Sequence, residues 1–80
     1  MKRIVWTELA KNDVRRLDKP VAMRIFAALQ RFAQTGEGDL KALQGRDELR
    51  LRVGDYRLFF VIASGALEIR RVLHRSEAYR

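Results

Sequence analysis

Residues 48–79 read ELRLRVGDYRLFFVIASGALEIRRVLHRSEAY, and their spacing decides the fold. Leu49, Leu51 and Val53 alternate with Arg50 and Arg52, the period of two that marks a strand with one buried face. Gly54-Asp55 fits a two-residue hairpin loop with glycine first, as a type II′ turn requires. That turn sets a register: Val53 opposite Tyr56, Arg52 opposite Arg57, Leu51 opposite Leu58, Arg50 opposite Phe59. Opposite residues share a face. Leu49, Leu51, Val53, Tyr56, Leu58, Phe60 and Ile62 therefore form a core face, and Arg50, Arg52, Arg57 and Phe59 form the other. Ser64-Gly65 is a second tight turn. Read as a two-residue loop, it pairs Ala63 with Ala66 and Phe59 with Arg70. Arg70, Val72 and His74 then join the arginine face, and Leu67, Ile69 and Leu73 join the core. Arg71 falls on the core side, which points to a bulge or an edge position.

Working back toward the N-terminus, Arg3-Ile4-Val5-Trp6 predicts a short first strand. Thr7 is an N-cap, and Glu8 complements the helix dipole. Leu9, Ala10, Val14 and Leu17 make one helical stripe, ending near Leu17. Asp18-Lys19-Pro20 restarts a helix, with Pro20 in its first turn, where the missing N–H is not needed. Val21, Ile25, Ala28, Leu29 and Phe32 carry that helix to about Thr35, with Gly36 closing it. Two helices joined this tightly predict an antiparallel hairpin. Residues 36–47 read as a loop pinned by Leu40 and Leu43. Phe26, Phe32 and Phe60 are core by position, and Trp6 is core or rim. The expected fold is α+β: a single domain over residues 1–80, with a small twisted antiparallel sheet in the order β-α-α-β-β-β and the two-helix hairpin packed on one face.

Composition narrows the functions open to such a domain. With 80 residues, 48% of them hydrophobic, the chain has a modest core, and a domain of this size buries only about 60% of its unfolded surface. It has no cysteine and one histidine, so disulfides, thiolate metal sites, multi-histidine metal sites and cysteine nucleophiles are excluded. No metal or other cofactor is expected. No stretch approaches a membrane span in length, the opening MKRIVWTELA lacks an apolar signal core, and the cytoplasm is the expected compartment.

The net charge of +7 favours a polyanionic partner. All cations after residue 45 are arginine, the better residue for bidentate phosphate contacts and for stacking on bases. Like charges placed opposite each other on a sheet are destabilising, so Arg52 facing Arg57 calls for a ligand. Arg50, Arg52, Phe59 and Arg70 are the expected RNA-binding residues, with Phe59 able to stack on an unpaired base. A plain solvated face, partly neutralised by Glu48 and Glu68, is the competing reading. The chain closes on His74-Arg75-Ser76-Glu77-Ala78-Tyr79-Arg80. Cleavage of RNA by its own 2′-OH needs a base, a cation for the phosphorane and an acid for the leaving oxygen. Histidine, arginine and tyrosine can fill these roles. The competing reading is a histidine that titrates harmlessly and a tyrosine that packs the tail onto the sheet.

The element order, the run Leu51-Arg52-Val53-Gly54-Asp55-Tyr56-Arg57-Leu58-Phe59-Phe60 and the ending His74 to Arg80 resemble the RelE/ParE superfamily of bacterial toxins across nearly the whole chain. The Gly-Asp-Tyr-Arg hairpin is shared widely there. The His-Arg-x-x-x-Tyr ending is more typical of the RelE branch, whose members cleave mRNA in the ribosomal A site. The ParE branch poisons DNA gyrase and generally lacks it. The resemblance implies a ribonuclease that works without metal. Arg50 and Arg52 would bind backbone, and Arg57 would hold the scissile phosphate. Arg75 and Tyr79 would complete the catalytic set, with His74 a candidate proton carrier. Glu48 departs from the lysine-rich pattern before the turn. The resemblance also implies a cognate antitoxin that wraps the toxin, operator DNA bound only through that complex, and mRNA and the ribosome as targets. A ParE-like gyrase inhibitor is the alternative.

Overall fold

A computed structural model describes residues 2–78. The elements are β1 (Arg3–Trp6), α1 (Glu8–Arg15), α2 (Lys19–Thr35), β2 (Asp39–Ala42), β3 (Leu49–Val53), β4 (Tyr56–Ala63), β5 (Ala66–His74) and the single turn α3 (Arg75–Ala78). The strands form one sheet in the order β1-β5-β4-β3-β2. The α+β class and the expected order of strands and helices stand. Two features enlarge the picture. β1 runs parallel to β5, so the sheet is mixed and not purely antiparallel. The segment read as a loop contains β2, which pairs antiparallel with β3 and sets Leu40 opposite Leu51.

The local signals explain most of the element boundaries. The Thr7 hydroxyl accepts from the Ala10 N–H and itself donates to the Ile69 carbonyl at 2.8 Å, so one side chain starts α1 and ties it to β5. Gly36 closes α2 in the left-handed conformation, φ 76°, where its N–H donates to the Phe32 carbonyl at 2.8 Å. The β3–β4 hairpin has the predicted register pair for pair. Gly54 has φ 57°, in keeping with its place as first loop residue. The second turn takes positive φ at both Ser64 and Gly65, the type I′ pattern, which matches the strands' right-handed twist.

The core lies between the helices and one face of the sheet. Ala10, Ile25, Leu29, Phe32 and Ala33 meet Leu51, Leu58, Phe60, Leu67, Ile69 and Val72. Phe32 and Phe60 pack edge to face at 5.5 Å. Several expectations fail here: Ile62, assigned to the core face, and Leu40, expected to pin its segment, are both exposed. Leu9 is 60% exposed, because the buried stripe of α1 runs through Ala10 and Asp13 instead. Phe26 is 41% exposed and sits at the outer rim, edge-on to Trp6 at 5.6 Å. The opposite face of the sheet is left without a covering layer, and it holds the arginines.

Candidate nucleic-acid interface

The hairpin turn after β3 is what assembles the site. It sets Arg52 directly opposite Arg57 and Arg50 opposite Phe59. β2 adds Asp39 beside Arg52 and Lys41 beside Arg50. From the far side, the chain leaving β5 donates the Arg75 N–H to the Asp55 carbonyl at 2.7 Å, which brings Arg75 to the same turn. The Arg57 guanidinium folds over the turn and donates through Nη1 to the Gly54 and Tyr56 carbonyls at 3.1 and 3.2 Å. Its Nε is buried with no hydrogen-bond partner among the described residues.

Electrostatics single out Arg57. Burial lowers its pKa first, and the charges of Arg52, Arg50 and Arg75 lower it further, while Asp39 acts in the opposite direction. A guanidinium stays protonated regardless, so Arg57 carries its charge in surroundings that disfavour it. The carboxylates present are weak counterweights. Asp39 lies 3.9 Å from Arg52 and Asp55 lies 3.9 Å from Arg75, and each pair is largely exposed. Arg52, Arg57 and Arg75, with Arg50 beside them on β3, make an arrangement chemically suited to a multiply charged anion.

Other predicted residues stand elsewhere. Phe59 is on the arginine face but only 8% exposed, so its ring lies buried and is not an open stacking platform. Arg70 is exposed and pairs with Glu68 at 3.2 Å. It borders a separate open cavity of about 660 Å³ with Arg46, Glu48, Val61 and Ile62. It does not face Phe59. The register of β4 and β5 shifts between Phe59 and Phe60, and Phe59 faces Arg71. Beyond this bulge the sides exchange. Val72 is buried in the core, and His74 faces Tyr56, edge-on at 5.3 Å. His74 is therefore not on the arginine face. Its Nδ1 accepts the Ser76 N–H at 3.2 Å, and the Glu77 carboxylate accepts the His74 N–H at 3.3 Å. That reciprocal pair is a capping box for α3, with histidine in the cap position. Tyr79 lies outside the described residues.

Sequence reasoning passed over Asp13. It is buried, and its carboxylate accepts from Arg71 Nε at 2.8 Å, from Arg71 Nη2 at 3.1 Å and from the Val72 N–H at 2.8 Å. The bond to Asp13 raises the Arg71 pKa. The one signal in the sequence was Arg71, which the uninterrupted register put on the core side of β5; the stripe read for α1 did not include Asp13.

Residues 4–79 match the family model described as ParE toxin of type II toxin–antitoxin system, parDE. No curated protein sequence matches the chain significantly. Among solved structures, the archaeal RelE–RelB complex from Pyrococcus horikoshii OT3 aligns with TM-score 0.80 at 20% identity, covering 96% of this chain and 98% of that one. The RelB–RelE antitoxin–toxin complex from Methanococcus jannaschii gives TM-score 0.79 at 22% identity, with 94% of each chain covered. The RelBE2 toxin–antitoxin complex from Mycobacterium tuberculosis gives 0.63 at 25% identity, covering 92% and 98%.

Proposed function

The chain belongs to the ParE toxin family, within the RelE/ParE superfamily of type II toxin–antitoxin systems, and within that superfamily we propose that this toxin is an endoribonuclease of the RelE kind, cleaving mRNA at the ribosomal A site. The observation that carries the reading is the convergence of Arg50, Arg52, Arg57 and Arg75 at one hairpin turn, with Arg57 kept charged against burial and like charge. Single-stranded RNA supplies closely spaced phosphates to such a surface.

In the proposed reaction the 2′-oxygen of one nucleotide attacks the adjacent phosphorus and loses its proton. The bond from phosphorus to the 5′-oxygen of the next nucleotide breaks, and that oxygen takes up a proton. The products are a 2′,3′-cyclic phosphate and a free 5′-hydroxyl. Negative charge grows on the non-bridging oxygens, where Arg57 and Arg75 stabilise it, while Arg50 and Arg52 hold the flanking backbone. Tyr79 is the group assigned to proton transfer and base stacking. His74, whose Nδ1 is engaged by Ser76, is assigned to holding α3 and with it the segment that leads to Tyr79. A cognate antitoxin, mRNA and the ribosome are the partners of this reading, with operator DNA reached through the antitoxin complex and the cytoplasm as its compartment. No helix among the described residues is long and apolar enough to cross a membrane.

The test is primer extension on cellular mRNA after the chain is induced alone. New 5′ ends inside translated codons support the reading, and Arg57→Ala should reduce them by roughly 10²-fold or more. The family match by name favours a second reading, a DNA gyrase poison. Intact mRNA with double-strand DNA breaks would establish it in place of the first.

A further inference from the structure

We propose that Asp13 is the positioning residue of the arginine site. It fixes the bulge in β5, and the bulge sets the register that delivers Arg75 to the turn beside Arg57. The inference rests on the reading that this arginine cluster holds the RNA phosphate.

Two registers compete for the second half of β5. The Ser64-Gly65 turn pairs Ala63 with Ala66, Ile62 with Leu67 and Phe60 with Ile69. Continued without interruption, it would set Tyr56 opposite Leu73 and carry His74 to the turn. A shift of one residue turns each side chain to the other face. Arg75 would then pass the Asp55 carbonyl by about 3.4 Å, one strand residue. The observed register absorbs one extra residue. Phe59 faces Arg71, Tyr56 faces His74, and Arg75 donates its N–H to Asp55.

The extra residue requires a holder, because β5 has lost its outer neighbour at that point. The pairing of β1 with β5 ends at Trp6 and Ile69. From there α1 takes over the open edge. Thr7 donates its N–H to the Ile69 carbonyl at 3.1 Å and its hydroxyl to the same carbonyl at 2.8 Å, with the Arg70 carbonyl 3.3 Å from that hydroxyl. Asp13 receives the Val72 N–H and grips Arg71 through two nitrogens. Its carboxylate thus satisfies the backbone donor just past the bulge and the side chain displaced by it. A charged acceptor serving both is stronger than water at an exposed edge.

Purified full-length protein and a 2′-O-methyl RNA oligomer, which cannot be cleaved, provide the assay. In Asp13→Ala the cross-strand contact of Tyr56 with His74, followed by NMR, should give way to one with Leu73. The salt slope of oligomer binding should fall by about 0.7, the contribution of one phosphate contact on a single strand. Arg75→Ala should give the same fall, and combining it with Asp13→Ala should add nothing. Deletion of Arg70 removes the extra residue and restores the C-terminal pairing without Asp13, so Asp13→Ala in that background should leave binding unchanged. The deletion also keeps the test open where Asp13→Ala alone fails to fold. Asp13→Ala with the native Tyr56–His74 contact and slope, or with an equal loss in the deletion background, would overturn the proposal. If Arg57→Ala and Arg75→Ala both bind like the wild type, the ribonuclease reading is what fails, and the Tyr56 contact still decides the role of Asp13.

Discussion

Replacing Arg57 with methionine should stabilise the free protein and weaken its hold on RNA. Methionine keeps much of the half-buried stem while removing the charge. The lost Nη1 bonds end on turn carbonyls that water can serve. What disappears is a guanidinium opposed first by desolvation and then by Arg52, Arg50 and Arg75. Opposed like charges on a sheet cost about 0.2–1 kcal/mol. Taking about 0.5 kcal/mol, and roughly 4–8 °C per kcal/mol for a domain of this size, the melting temperature should rise by about 2–4 °C at low salt. At about 1 M salt the screening length falls to roughly 3 Å and the gain should vanish. The sign with pH follows from the lowered pKa of a base. The penalty is present in full below the folded-state value and is relieved only as pH rises through it toward the ordinary arginine range. The gain should therefore be flat from about pH 6 to 9, where a guanidinium is fully protonated. RNA binding moves the other way. Four arginines on a single strand give a log–log salt slope of about −2.8, and three give about −2.1. Between about 50 and 200 mM salt the wild type should lose about 50-fold in affinity and the variant about 18-fold. Calorimetric melting and fluorescence anisotropy with the uncleavable oligomer measure the two effects. A variant that melts lower at low salt, or that keeps the wild-type slope, refutes the reasoning.

Phe60 is fully buried against Phe32, and Phe60→Ala should cost about 3–5 kcal/mol in urea unfolding, a large share of the stability of so small a domain. Ser64 is the one non-glycine residue with positive φ among the described residues, at 51°, and Ser64→Asn should raise stability by about 0.5 kcal/mol by the same measurement, since asparagine suits a type I′ turn. If His74 is the cap of α3, His74→Asn should retain single-turnover cleavage within several-fold, because asparagine caps well. A loss of about 10²–10⁴ would instead mark His74 as the proton carrier.

The first hairpin was readable because a two-residue turn with glycine first leaves one register, and a strict alternation leaves one choice of buried face. The placement of Arg50, Arg52 and Arg57 followed from these alone. β5 was readable only as far as Ile69. A bulge inserts a residue without altering the hydrophobic pattern enough to show where, and the core accepts either Val72 or Leu73. The position of Arg71 signalled a bulge but not its holder, since Asp13 is 58 residues away in sequence. β2 was missed for a different reason. Asp39-Leu40-Lys41-Ala42 alternates over only four residues, all of them exposed, and the strand exists because β3 offers it an edge. Leu9 and Phe26 were misplaced because an apolar residue beside a stripe reads much like one within it.

The two readings of function share the fold, and the arginine face is what favours the ribonuclease. They part at the 2′-hydroxyl. An anion receptor made of guanidiniums binds phosphate whatever the sugar, so a ribo-oligomer and its 2′-deoxy counterpart should bind this face with similar affinity and salt slope. Only the ribo-oligomer carries the nucleophile that the proposed reaction uses. A toxin that cleaves programmed ribosomal mRNA but leaves it intact when the codon's sugars are 2′-deoxy is therefore a ribonuclease acting through its substrate's own hydroxyl. If the arginine face binds both oligomers and cleaves neither, even on the ribosome, its opposed charges would be answering an acidic protein surface instead. The cost of holding Arg52 opposite Arg57 would then be offset by a protein target, which is the chemistry of the gyrase reading.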